Sequence, residues 1–141
     1  MANQVTENGL RVLWFGDCNV SSGFARCTHA AAGALHEAGH TVAVCGINYW
    51  GDPHEYPFTI WTVGTNPDRD PYGRKKVCQM IASWDFDMLF FLQDSFILTF
   101  IPELLEHLKQ RAKEFVSMCY FPIDGLPKKE WIDAVTAVDV P

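Results

Sequence analysis

No uninterrupted hydrophobic run in this 141-residue chain is long enough to span a bilayer. The nearest candidate, Met88–Ile101, is broken by Gln93, Asp94 and Ser95. The opening MANQVTENG is polar and has none of the apolar core of a secretory signal. Positive charge is also scarce: 11 Lys and Arg face 17 Asp and Glu, for a formal net charge of −6. That balance argues against binding nucleic-acid duplexes, whose phosphates need clustered cations. The one dense basic run, Arg74-Lys75-Lys76, reads as a solvated helix start. No CxxC pair occurs among Cys18, Cys27, Cys45, Cys78 and Cys119. An odd, scattered set of this kind suits reduced, small hydrophobes in a cytoplasmic protein.

Several catalytic signatures are missing as well. There is no GxGxxG after the first apolar run and no acid directly ending the second, so the dinucleotide fingerprint is absent. There is no GxxxxGK(S/T) for a phosphate-binding loop, and no elbow-type Ser-His-Asp spacing. No cofactor is implied.

What is present is a composition of 48% hydrophobic and 20% charged residues, enough for one domain with a sizeable core. Residues 1–9 read as a disordered tail and 10–141 as a single domain. Arg11–Phe15 reads as a buried strand, Gly16–Gly23 as a polar loop, and Phe24–Ala38 as a helix stopped by Gly39. Phe24, Cys27, Ala31, Ala34 or Leu35, and Ala38 trace the helix's expected buried face. Further strands are expected at Thr41–Cys45, Thr59–Val63, Met88–Leu92 and Val116–Phe121, with a sixth beginning at Ala137–Val140. Helices are expected at Gly73–Trp84, from Pro102 to near Glu114, and at Lys128–Val135, with loop between Gly64 and Tyr72. The alternation predicts an α/β, Rossmann-like, doubly wound and mostly parallel sheet of five to six strands, with helices on both faces. In that order the first and fourth strands are neighbours, and the loops after them flank a crevice.

Four pattern matches have ordinary explanations. His36-Glu37-Ala38-Gly39-His40 fits HExxH, but Gly39 ends the helix before the second histidine. Asp85-Phe86-Asp87 fits DxD but precedes a strand, at the wrong sheet edge, and Asp68-Arg69-Asp70 lies in a loop. Glu106 and Glu114 fit E-x7-E on a charged helix face. Asp52, His54 and Glu55 could ligate a metal but lack an evident fourth ligand, so no metal site is assigned.

The remaining candidates cluster at the expected crevice. Ser21, Ser22 and Gly23 suit either a plain helix N-cap or an anion site on main-chain N–H groups. Arg26 in the first turn opposes the helix dipole unless an anion binds there, and His29 follows one turn later. Tyr49, Trp50 and Tyr56 beside Asp52, His54 and Glu55 suit a polyhydroxylated ligand, or simply cover the sheet edge. Asp94 and Asp124 follow buried strands, where a carboxylate either caps a turn or meets a ligand.

Taken in order, these segments resemble the N-terminal half of GT-B retaining glycosyltransferases. The group is glycosyltransferase family 4 (glycosyl transferases group 1), which includes glycogen- and sucrose-synthase-like enzymes. The likeness lies in the RVL strand, the SSGFAR loop, the helix closing on L-x-x-x-G-H-x-V, GINYWGDPH, LFFLQD and YFPIDG, and covers about residues 10–140. It implies transfer of a sugar from a nucleotide-sugar to a sugar-bearing or other hydroxyl acceptor, without an obligatory metal. It implies donor-diphosphate contacts at Gly23 with Ser21 and Ser22; from their own chemistry Arg26 is expected to assist there, and Tyr49, Trp50, Asp52 and His54 of the next loop to contact the acceptor. Asp94 and Asp124 would orient hydroxyls at the reacting centre. Family members often carry a histidine after the fourth strand, where this chain has Gln93-Asp94. The expected partner is a C-terminal GT-B donor domain, absent from these residues, or a second copy; transfer by the chain alone is expected to be weak or nil. The reading of a different class is a non-catalytic small-ligand or protein-interaction module.

Overall fold

The computed structural model describes residues 9–63, 70–110 and 114–141. Residues 1–8 of the expected tail, the loop over 64–69 with Asp68 and Arg69, and 111–113 of the expected third helix lie outside the described residues.

Among the described residues ten elements follow in order: β1 (Arg11–Asp17), α1 (Gly23–Glu37), β2 (Thr41–Ile47), β3 (Thr59–Thr62), α2 (Arg74–Ser83), β4 (Met88–Leu92), a 3₁₀ turn (Leu98–Phe100), α3 (Ile101–Leu108), β5 (Val116–Tyr120) and α4 (Lys129–Val135). The strands form one parallel sheet in the order β3-β2-β1-β4-β5. The central strand, β1, pairs with β2 from Arg11↔Thr41 to Asp17↔Ile47, and with β4 from Val12↔Met88 to Gly16↔Leu92. The strand order therefore reverses between β1 and β4, as the sequence predicts.

Both faces are covered, which is why β1 and β2 are apolar without alternation. On one face Leu13, Phe15, Leu89 and Phe91 pack with Val77 and Ile81 of α2, Leu104 and Leu108 of α3, and Val135 of α4. On the other, Val12, Trp14, Val42 and Val44 pack with Ala32 of α1 and with Tyr49 and Phe58. No helix links β2 to β3; Tyr49, Tyr56 and Phe58 supply the cover there.

Helix α1 is capped as expected: the Ser22 Oγ accepts from the Ala25 N–H at 3.0 Å, and Gly39 ends the helix at φ +91°. His36 and His40 consequently sit on either side of the helix end, and the His40 Nδ1 accepts from the Leu10 N–H at 3.0 Å. The buried line of α1 differs from the expected one. Ala25, Thr28 and Ala32 face the sheet, with Phe24, Ala31 and Leu35 half-buried; Cys27, Ala34 and Ala38 are exposed. The phase follows Thr28, whose Oγ1 accepts the Trp14 indole N–H at 3.2 Å and so satisfies a buried donor.

Several boundaries also differ; β2, for one, runs on past Cys45 to Ile47. Strand β1 continues through Gly16 and Asp17, which the sequence reading assigned to the loop. Helix α3 stops at Leu108 rather than near Glu114, its last turn closed by Lys109 N–H to the Leu105 carbonyl at 2.9 Å. The expected sixth strand is a single parallel bridge, Met118↔Val140. The Asp139 carboxylate secures it by accepting from both the N–H and the hydroxyl of Ser117, at 2.8 and 2.7 Å.

At the opposite edge from the crevice, Arg11 holds both acids of the DxD match. Its guanidinium meets Asp85 at 2.6 Å and Asp87 at 3.5 Å, and its N–H donates to Asp87 at 2.7 Å. Cys18, Cys45 and Cys119 are buried thiols whose pKa burial pushes up to about 12, as for inert core residues. No helix is long and apolar enough to cross a membrane, among the described residues.

Candidate functional site

The crevice is organised around a carboxylate that the sequence reading did not single out. Asp17, at the end of β1, is 7% exposed and receives donors from three segments. The Ser22 Oγ–H donates to its Oδ2 at 2.9 Å, and the Gln93 Nε2 donates to its Oδ1 at 3.2 Å. The Asn48 Nδ2 makes a longer contact to the same Oδ1 at 3.4 Å. Asn48 turns the chain out of β2 at φ +58°, a conformation asparagine tolerates better than most residues. Asp17 thus ties the N-cap of α1, the exit of β2 and the exit of β4 into one knot.

That knot defines what the Ser21–Gly23 loop can offer. The Ser22 hydroxyl accepts from Ala25 and donates to Asp17, so both of its roles are filled within the protein. The N–H groups of Gly23 and Phe24 have no intrahelical acceptor by the geometry of a helix start. Ser21, Gly23 and Arg26 are exposed, and a Cβ on Gly23 would meet nothing within 4 Å. No acidic residue occupies the first turn. The N-terminus of α1 is open and flanked by one cation, Arg26, with the Asp17 carboxylate beneath its N-cap.

The segment after β2 divides by burial. Tyr49 is in the core, and its hydroxyl donates to the Asp52 carbonyl at 2.7 Å. Tyr56 stacks between His29 at 4.2 Å and Phe58 at 5.5 Å. His54 lies against Tyr49 and Tyr56, and its Nδ1 is buried with no hydrogen-bond partner among the described residues. Trp50 and Asp52 face solvent, with Trp50 59% exposed. His29 joins this segment to the β1–α1 loop. Its Nε2 donates to the Cys18 carbonyl, so in the neutral ring its Nδ1 accepts the Tyr56 hydroxyl at 3.2 Å.

Asp94 and Asp124 follow β4 and β5 on the same sheet edge. The Asp94 N–H donates to the Oε1 of Gln93 at 3.0 Å, which links it to the Asp17 knot. Burial, then the charge of Asp124, then that of Asp17 raise the Asp94 carboxyl above its ordinary value of 3.8. The folded state therefore binds this proton more tightly than the unfolded state does. The ionised carboxylate opposes folding once the pH exceeds the raised value, and the penalty vanishes below 3.8. Asp94→Asn is accordingly expected to stabilise the fold near neutral pH, with the gain fading as the pH falls through the carboxylate range. Urea denaturation of both proteins across that range measures it; a gain independent of pH would assign the effect to something other than this charge.

The other motifs fall away from this edge. Glu106 pairs with Lys109 at 3.0 Å on the exposed side of α3. Among the described residues, no group of three or more His, Cys, Asp and Glu comes together to hold a metal ion. Of the candidate residues, the crevice gathers Ser22, Gly23, Asp94 and Asp124, while Tyr49 and His54 lie under the α1 face. Asp17 and Asn48 are not candidates from the sequence, and Gln93 enters there only as the residue standing where family members carry a histidine. A polar residue directly ending each of three buried strands was the available signal.

No protein-family model matches the chain, and no curated protein matches it.

Proposed function

We propose that this domain is the acceptor-side wall of a GT-B-type retaining glycosyltransferase, taking a nucleotide-sugar and a hydroxyl-bearing acceptor. The observation that carries the reading is the gathering of an open helix N-terminus and several acids along one sheet edge. An open helix N-terminus with Arg26 lies after β1, and the carboxylates of Asp94 and Asp124 lie after β4 and β5. Such a crevice at a strand-order reversal is where doubly wound sheets bind their ligands. Beside it stands the resemblance of SSGFAR, GINYWGDPH and YFPIDG to the family.

In this reading the Gly23 and Phe24 N–H groups donate to the diphosphate oxygens, and Arg26 adds a positive charge beside them. Ser22 acts by holding the loop through Asp17 rather than by touching the phosphate. Asp94 and Asp124 accept hydrogen bonds from the acceptor's hydroxyls and orient them.

The test is titration of nucleotide-sugars into the purified chain, followed by assays of donor hydrolysis and transfer with and without a GT-B donor domain. Binding is expected to weaken at high salt and in Arg26→Ala, with transfer requiring the second domain. If no nucleotide-sugar binds in either setting, the transferase reading fails. The interaction-module reading has one observation of its own: Val116 and Tyr120 on β5 are 46% and 63% exposed. A homodimer disrupted by Tyr120→Lys, with no nucleotide-sugar binding, would favour it.

A further inference from the structure

A cavity of about 220 Å³ opens beside Asp124, between the segment leaving β5 and helix α4. Phe121, Pro122 and Ile123 line one side, and Trp131, Ile132 and Val135 line the other. Its polar lining comes from Ser95, Asp124 and Thr136. Thr136 is already engaged, since its hydroxyl donates to the Ile132 carbonyl at 2.7 Å. The apolar wall continues outward: Ile123 is 79% exposed and Ile132 45%. Phe96 stands 6.4 Å from the Trp131 ring and extends the same surface.

Size, polarity and charge each restrict the occupant. An apolar protein cavity of about 150 Å³ holds benzene, so this one has room for a one- or two-ring body. A sugar fits it poorly, because hydroxyls around the whole ring would lose water without finding partners in an apolar wall. A phosphate fits it worse, because Asp124 lies in the lining and its charge already raises the Asp94 carboxyl. A neutral ring bearing one hydroxyl satisfies all three restrictions. The ring fills the cavity against Trp131, and the hydroxyl donates to a carboxylate at the rim.

We infer that this cavity binds the body of a small aromatic or alicyclic alcohol, so that the acceptor is a hydrophobic alcohol rather than a saccharide. The term acceptor rests on the transferase reading; the binding does not. The Tyr49–Trp50 segment then has no part in holding the acceptor body, and the diphosphate and the acceptor enter from different sides of the Asp17 knot.

The experiment is an NMR titration of the whole chain, following backbone amides and the Trp131 indole N–H. The probes are β-naphthol, naphthalene, β-naphthyl phosphate and glucose. β-Naphthol is expected to bind with shifts centred on Phe121–Gly125 and Trp131. Naphthalene and β-naphthyl phosphate are each expected to bind about tenfold or more weakly, the scale of one lost hydrogen bond to a charged group. Glucose is expected to cause no shifts there. Asp124→Asn, at an exposed position that threatens folding little, should weaken β-naphthol and improve β-naphthyl phosphate. Trp131→Ala should abolish β-naphthol binding. Equal affinity for naphthol and naphthyl phosphate, shifts centred elsewhere, or no binding at millimolar probe would overturn the assignment. A parallel titration with uridine diphosphate glucose separates the two levels. Nucleotide-sugar binding without naphthol binding sinks this inference alone, while naphthol binding without any nucleotide-sugar leaves the cavity and removes its role as an acceptor site.

Discussion

Asp17→Ala is expected to lower the free energy of unfolding by about 3 kcal/mol, while Asp17→Asn should cost about 1 kcal/mol or less. The difference follows from what each substitution leaves behind. Alanine strands the Nε2 of Gln93, a residue only 3% exposed, and removes the acceptor of the Ser22 hydroxyl. A buried donor without an acceptor carries its full desolvation cost. Asparagine keeps the shape and one oxygen. That oxygen can still accept from Gln93, while the amide nitrogen donates to a lone pair of the Ser22 Oγ, which then gives up its own donated bond. Urea denaturation of the two variants measures the difference. If they cost the same, the carboxylate's charge matters and the hydrogen-bond knot does not. The knot also sets the α1 N-cap, so in the transferase reading Asp17→Ala should weaken nucleotide-sugar binding more than Asp17→Asn does.

The strands were legible because burial on both faces leaves continuous apolar runs, and Met88–Leu92 lies where its sequence says. The strand order followed from alternation of elements alone. Other features depended on partners remote in sequence. Gly16 and Asp17 look like loop residues until β4 is brought alongside; a Cβ at Gly16 would lie 2.5 Å from the Leu92 carbonyl oxygen. Thr28 looks like a surface residue of α1 until Trp14 presents its indole N–H. The end of α3 carries no glycine to announce it, so the sequence pattern alone extends the helix too far.

The site divides in the same way. Asp94 and Asp124 could be picked out one at a time as acids after strands. Asp17 and Gln93 are 76 residues apart, and neither means anything without the other. The cavity beside Trp131 was invisible for a further reason. Its walls are residues that read as ordinary core or turn, drawn from the segment after β5 and from α4.

Gly73→Ala is expected to destabilise the protein by about 3 kcal/mol or more, from two separate costs. Gly73 lies at φ +68°, a left-handed conformation that costs a residue with a Cβ about 1 kcal/mol. Steric overlap is the larger cost. A Cβ at this position would come within 2.4 Å of both the carbonyl carbon and oxygen of Val63, and within 2.6 Å of its Cβ. Two of those atoms are backbone, so no side-chain rotation relieves the clash. Gly73 also heads α2: its carbonyl accepts from the Val77 N–H at 2.8 Å, and its own N–H donates to the Asp70 carbonyl at 3.0 Å. The Asp70 carboxylate meanwhile accepts from the Arg74 and Lys75 N–H groups. Moving Gly73 away from Val63 therefore moves this cap and pulls the fully buried Val77 and Ile81 off the sheet. Gly23→Ala is the matched comparison, since a Cβ there meets nothing within 4 Å and φ is not positive. It should change stability by no more than about 0.5 kcal/mol. Thermal or urea unfolding of the pair tests the argument, and similar costs for both would show that α2 can shift on the sheet without penalty. Gly23→Ala also fills the open space over the α1 N-terminus without disturbing the fold, so any loss of nucleotide-sugar binding in that variant reports on the site itself.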